Sequence, residues 1–141
     1  MNDLLELKYT VEPGDFTRAG EASTKVKKTL KTMGMPPEIV RRAAIAIYEG
    51  EINMVIHADG GEITVTIGDE EIKMVLKDRG PGIPDVEKAM QAGYSTASDK
   101  VRNMGFGAGM GLPNMKKYTD EMHIDTVQNV GTTVTMHIKL E

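Results

Sequence analysis

The sequence predicts an α+β fold in two layers, a mostly antiparallel sheet covered on one face by helices. Three observations carry that expectation. Two long helical patterns follow each other in the first half of the chain; β-rich runs come in neighbouring pairs joined by turn residues; and the order β-α-α-β-β-α-loop-α-β-β segregates helices from strands instead of alternating them. No internal repeat, linker or low-complexity stretch interrupts the chain, so one domain is expected over residues 1–141.

Each element has a local cause. LLELKYTV (4–11) alternates apolar and polar residues, the period of a half-buried strand, and EPGD ends it. A first helix is expected over 15–33, with Asp15 as N-cap, Phe16, Ala19, Val26, Leu30 and Met33 at helical spacing and Gly34 as the stop. Pro36 and Pro37 suit the first turn of a second helix, where the donor that proline lacks has no partner anyway. Its apolar face comprises Ile39, Ala43, Ala46, Ile47, Ile52, Val55 and Ile56, and Asp59-Gly60-Gly61 ends it. EITVTIG and EIKMVLKD, separated by GDEE, read as a hairpin. VEKAMQAG (86–93) reads as a short helix, and the polar, aperiodic YSTASDKVRNM (94–104) as a mobile loop. LPNMKKYTD reads as a last helix, and EMHIDTVQ and TTVTMHIKL as two strands meeting at Asn129-Val130-Gly131.

Composition narrows the classes of function. With 141 residues the chain can bury a core unaided, and with no cysteine it offers neither disulfides nor a thiolate zinc site. A net charge of −4 with interspersed signs gives no electrostatic footprint for nucleic acid, and KVKK at 25–28 reads as the solvated face of a helix. There is no apolar run long enough to span a membrane and no basic start with an apolar stretch behind it, which leads to the expectation of a soluble cytoplasmic protein. Aromatic residues make up 4%, so the 11 methionines are expected to fill the core beside Ile, Val and Leu.

Three groups of residues offer chemistry. GFGAGMGLPNM (105–115) matches neither the lysine-bearing phosphate loop nor the dinucleotide turn, and stands as either structural glycine or a backbone anion site leading into a helix. Asp78-Arg79-Gly80-Pro81-Gly82, at the end of a predicted strand, is either a plain turn or a carboxylate placed to accept the exocyclic amine of adenine. Glu49 and Asn53, at i and i+4, share a face of the second helix and break its apolar pattern. They either cap a neighbouring loop or hold a magnesium ion and activate a hydroxyl. Glu51, about 200° around the helix from Glu49, is expected to face solvent. His57 reads as a favourable helix-end residue; His123 and His137 are far apart in sequence, and no HxxxH or HxH pair is present, so a histidine metal site is not expected.

The succession ExxxN, hairpin, DxGxG, polar loop, GxGxGxGL and GTT resembles the GHKL superfamily of gyrase, MutL and the histidine kinases, with its Bergerat nucleotide fold. Within it, YEGEINMVIHA, KDRGPGIPDVEKAM, GYST and GAGMGLPNMKKYTDE resemble the anti-sigma-type serine/threonine protein kinases. The likeness implies ATP and Mg2+ as cofactors, Asp78 as the adenine-binding carboxylate with Gly80 and Gly82 shaping the pocket and Thr133 assisting, Asn53 as the magnesium ligand and Glu49 as the catalytic base. It further implies that Gly105, Gly107, Gly109 and Gly111 surround the phosphates, that 94–104 forms the ATP lid, and that Lys100 or Arg102 reaches the γ-phosphate. The implied partner is an anti-anti-sigma-type phospho-acceptor, with a sigma factor or other regulator as a further partner and a homodimer as the assembly. Two residues depart from the pattern, Gly50 after the glutamate, which suggests a loosened helix, and Met54 after the asparagine. Rival readings are a clamp that sequesters a regulator without phosphoryl transfer, a detached histidine-kinase catalytic domain, and an ordinary ATPase of the gyrase kind.

Overall fold

A computed structural model of the chain describes residues 3–12, 14, 19–57, 59–80, 90 and 111–140. Its elements are β1 (Asp3–Val11), α1 (Glu21–Thr32), α2 (Pro37–His57), β2 (Gly61–Gly68), β3 (Glu71–Asp78), α3 (Gly111–Lys117), β4 (Glu121–Val127) and β5 (Gly131–Lys139). The strands form one sheet in the order β1-β2-β3-β5-β4, every neighbouring pair antiparallel. The α+β sandwich expected from the sequence is therefore present. The helix expected over 86–93 (apart from Met90), the loop 94–104, and Asp15 and Phe16 lie outside the described residues, as do Gly82, Lys100, Arg102, Gly105, Gly107 and Gly109.

Strand alternation assigns the two faces of the sheet. Ile63, Val65 and Ile67 of β2, Ile72, Met74 and Leu76 of β3, and Val134, Met136 and Ile138 of β5 are all buried in one cluster, while Lys73, Lys77, Thr133, Thr135 and His137 alternate onto the other face. Val26 and Leu30 of α1, Val40, Ala43, Ala46, Ile47, Met54 and Val55 of α2, and Leu112 and Met115 of α3 close the same cluster from the helix side. Each such Val, Leu, Ile or Met side chain contributes about 1.5–3 kcal/mol on burial, and the alanines less. Met54, Met74, Met115 and Met136 are at most 2% exposed, which is the core-filling use expected of the methionines.

The first helix is shorter than its sequence pattern. It begins at Glu21, because Gly20 sits in the left-handed region at φ 95° and carries no side chain that could cap the helix. The acceptor comes from elsewhere. Glu51 of α2 is 3% exposed, and its carboxylate accepts the N–H groups of Ala22 at 3.1 Å and Ser23 at 3.3 Å. The expectation that Glu51 faces solvent is thus corrected: the side of α2 opposite Glu49 meets the first turn of α1, where unpaired donors and the helix dipole favour a carboxylate. Burial raises its pKa, and these backbone donors oppose the rise.

Helix α2 runs unbroken from Pro37 to His57, through Gly50. A β-carbon at position 50 would run into Cδ2 of Leu76 on β3 and lie 3.2 Å from Cε of Met115 on α3. The glycine does not loosen the helix; it lets α2 approach the sheet closely.

Glu51→Ala leaves two buried donors without their acceptor, and a loss of about 1–3 kcal/mol is expected in urea unfolding. Glu51→Gln keeps one acceptor oxygen but sets an amide N–H against the second backbone donor, so it should recover only part of that stability.

Candidate nucleotide site

Helices α2 and α3 pack in an antiparallel register that orders the site. Gly111, at the start of α3, lies against Asn53: a β-carbon there would be 2.8 Å from Nδ2 and 2.9 Å from Oδ1 of the amide. One turn further along α3, the Asn114 side chain comes to the Glu49 carboxylate, one turn back along α2, and its amide favours the charged form of that carboxylate. Met115 meets Gly50 at the same level. At the far end, Arg42 donates from Nε to the Tyr118 carbonyl at 3.0 Å and pairs with Asp120 at 3.3 Å. Arg41 and Lys117 both stand over the Tyr118 ring, at 5.4 and 5.3 Å from its centroid.

Glu49 is half-buried. Burial pushes its carboxyl pKa up, and the Asn114 amide opposes the rise. Gly50 rests on Leu76, two residues before Asp78 on the same face of β3, so Glu49, Asn53 and Asp78 lie on the helix side of the sheet.

Asp78 ends β3, and its Oδ1 accepts the Thr132 N–H at 2.8 Å. Its pKa too is raised by burial, with the Thr132 N–H opposing. The Thr132 hydroxyl lies 3.0 Å from that of Thr126 on β4, which holds β5 to the edge strand beside the carboxylate. Gly131, at φ 155°, leaves room for the Asp78 carbonyl, into which a β-carbon would run. Gly80 donates its N–H to the Val130 carbonyl at 3.2 Å, which joins the segment after β3 to the β4–β5 turn.

Of the residues singled out in the sequence, Glu49, Asn53 and Gly111 meet at the α2–α3 contact, and Asp78 and Gly80 meet the start of β5. Thr133 does not join them. It pairs with Lys77 on the sheet face away from the helices, so Thr132 is the threonine beside Asp78. That correction was available from alternation, since Thr132 is in phase with Val134, Met136 and Ile138. Asn114 gave no such signal. Among the described residues, no group of three or more His, Cys, Asp or Glu could hold a metal, and no helix is long and apolar enough to cross a membrane.

The profile of the histidine kinase-like ATPase domain matches residues 13–138, and the chain belongs to that family. Among its relatives, the serine/threonine-protein kinase RsbT of Bacillus subtilis is 31% identical over 112 residues, covering 77% of this chain and 78% of the relative. An anti-sigma F factor of Caldanaerobacter subterraneus subsp. tengcongensis is 30% identical over 140 residues, covering 96% of this chain and 92% of the relative. A crystal structure of the RsbU and RsbW domains of a Mycobacterium tuberculosis protein superposes with a TM-score of 0.66 at 18% identity; it covers 96% of this chain, which spans 32% of that longer protein. The mycobacterial sensor histidine kinase MprB shares the fold at a TM-score of 0.54 and 15% identity, over 96% of this chain and 97% of the other.

Glu49, Glu51 and Asp78 all have raised pKa values in the folded chain. A carboxyl whose folded pKa exceeds its unfolded one holds its proton more tightly when native, so stability falls as pH rises between the two values. Glu49→Gln and Asp78→Asn remove that loss. In thermal melts both variants should have a higher Tm than the parent at pH 7, and the advantage should shrink as pH is lowered into the ordinary carboxylate range.

Proposed function

We propose that this chain is an ATP-dependent serine/threonine protein kinase of the anti-sigma regulatory type, which phosphorylates a small partner protein and so controls partner switching. The observation that carries the reading is Glu49, a half-buried carboxylate that shares a helix face with Asn53, whose amide lies against Gly111. A group so placed can accept the proton of a serine or threonine hydroxyl as the hydroxyl attacks a phosphoryl group. The kinase name of the RsbT relative supports the same assignment.

The residues present fit a magnesium-bound triphosphate. Gly111 leaves room for the Asn53 amide, where any side chain at 111 would press on it, and an amide oxygen is the hard donor that magnesium accepts beside waters and phosphate oxygens. Magnesium, when bound, would neutralise phosphate charge. Asp78 would accept the exocyclic amine of adenine, a hydrogen bond to a charged acceptor that guanine, with an oxygen in that place, cannot make. The Thr132 N–H holds the carboxylate for that contact. On the sequence pattern we assign Gly80 and Gly82 to the adenine pocket, Gly105, Gly107, Gly109 and Gly111 to the phosphates, and Lys100 or Arg102 to the γ-phosphate.

A second reading has specific support, because several relatives are named anti-sigma F factors. In it, ATP binding drives a clamp on a regulator and no phosphate moves. Incubation with γ-labelled ATP, magnesium and lysate from the source organism separates the two. Label on one small protein is the kinase outcome, and stable co-purification without label is the clamp outcome.

Asp78→Asn is expected to weaken ATP binding by about tenfold to a hundredfold in calorimetric titration, and GTP should not bind the parent measurably. Glu49→Gln is expected to retain ATP binding and to lose phosphoryl transfer by about two to four orders of magnitude in a single-turnover assay. Parental ATP affinity in the first variant or parental transfer in the second would remove the corresponding assignment.

A further inference from the structure

The α2–α3 contact contains a polar group to which neither the family pattern nor the reading above gives a task. Asn114 follows Pro113 in the first turns of α3 and sits between Leu112 and Met115, both buried in the core. Its neighbours therefore fix its place: Leu112 and Met115 anchor α3 on the cluster, Met115 touches the bare backbone of Gly50, and Gly111 lies against Asn53. With Gly111 opposite Asn53, the antiparallel register puts the residue three further along α3 opposite the residue four back along α2, which is Glu49. An asparagine there presents its amide to the carboxylate and favours its charged form.

The chemistry of the pair is directional. A carboxylate accepts only, so the Asn114 amide must donate its N–H. A glutamate side chain has three torsions, and a fixed donor on one oxygen removes most of that freedom while leaving the other oxygen's lone pairs available. The donor belongs to a helix that is itself tied down at its far end by Arg42 on the Tyr118 carbonyl and on Asp120. The orientation of Glu49 is thus referred to α3, and through Arg42 back to α2.

We propose that Asn114 is a positioning residue for Glu49: its side-chain amide, presented by the packed helix α3, aims the carboxylate for proton acceptance. The inference rests on the reading of Glu49 as the base. It predicts a defect in the chemical step and not in nucleotide binding, because Asn114 acts through Glu49 alone.

Two measurements test it, one independent of any activity. In 15N-labelled protein, the Asn114 side-chain amide protons are expected to differ in shift and to exchange slowly with solvent, and Glu49→Ala should return them to the position of a free asparagine. An Asn114 amide that resonates as free in the parent, or that Glu49→Ala leaves unmoved, overturns the proposal. In single-turnover phosphoryl transfer, Asn114→Ala is expected to lower the maximal rate by about tenfold or more with the half-saturating ATP concentration within twofold of the parent. Asn114→Asp keeps the shape of the side chain but sets a second carboxylate against Glu49, so it guards against a packing explanation and should be at least as impaired. Parental rates in both Asn114 variants, with Glu49→Gln inactive, overturn the positioning role alone. If Glu49→Gln also transfers phosphate at the parental rate, the assignment of the base has failed, and the positioning role falls with it.

Discussion

The close approach of α2 to the sheet at Gly50 is the constraint on which the site depends. Any side chain at that position would collide with Leu76 and crowd Met115, two residues that are themselves buried. Because the backbone of α2 can sit directly on β3, Glu49 and Asn53 are carried to the level of the strand end where Asp78 stands. The same bare patch seats Met115 and so fixes α3. A glycine in a helix interior costs about 1 kcal/mol relative to alanine, and here the geometry it permits offsets that cost.

Around that contact, neighbouring positions on one helix serve unrelated ends. Glu49 turns toward α3 and Asn53 toward Gly111, while Glu51 points the other way and accepts two N–H groups at the start of α1. Both carboxylates are partly or wholly removed from water, and burial raises the pKa of both. Their environments still differ in kind. Glu51 is closed in by backbone donors and 3% exposed, a structural carboxylate in place of a missing N-cap. Glu49 faces the Asn114 side chain of a neighbouring helix and is only half-buried, so part of it remains in contact with solvent.

Much of this was legible in the sequence because it rests on periodicity. The strand pairs, the long second helix, the face shared by Glu49 and Asn53 and the strand-end place of Asp78 all follow from spacings of two or of three to four residues. What the sequence concealed depends on contacts between elements. Nothing local to FTRAGEAS announces that its helix is capped by a residue about thirty positions away, so the pattern reads as a helix begun at Asp15 when it begins at Glu21. Glu51 looks like a solvent residue for the same reason, since a helical wheel says which side of α2 it occupies but not what lies there. Thr133 was a choice between adjacent threonines that the phase of Val134 and Met136 decides for Thr132. Asn114 becomes visible only once α3 is laid antiparallel on α2.

Helix α2 addresses three neighbouring elements from four nearly consecutive positions: α3 from Glu49 and Asn53, β3 from Gly50 and α1 from Glu51. One residue added or removed upstream of Glu49 would rotate all four by about 100° at once, taking the bare backbone off Leu76 and both carboxylates off their donors. Evolution can therefore vary this helix by substitution but not by length between Arg42 and Asn53. The Asp69-Glu70 turn between β2 and β3, exposed and remote from the site, is free to lengthen. Gene duplicates that diverge toward new partners are expected to carry their insertions in such turns, with the spacing from Arg42 to Asn53 left intact.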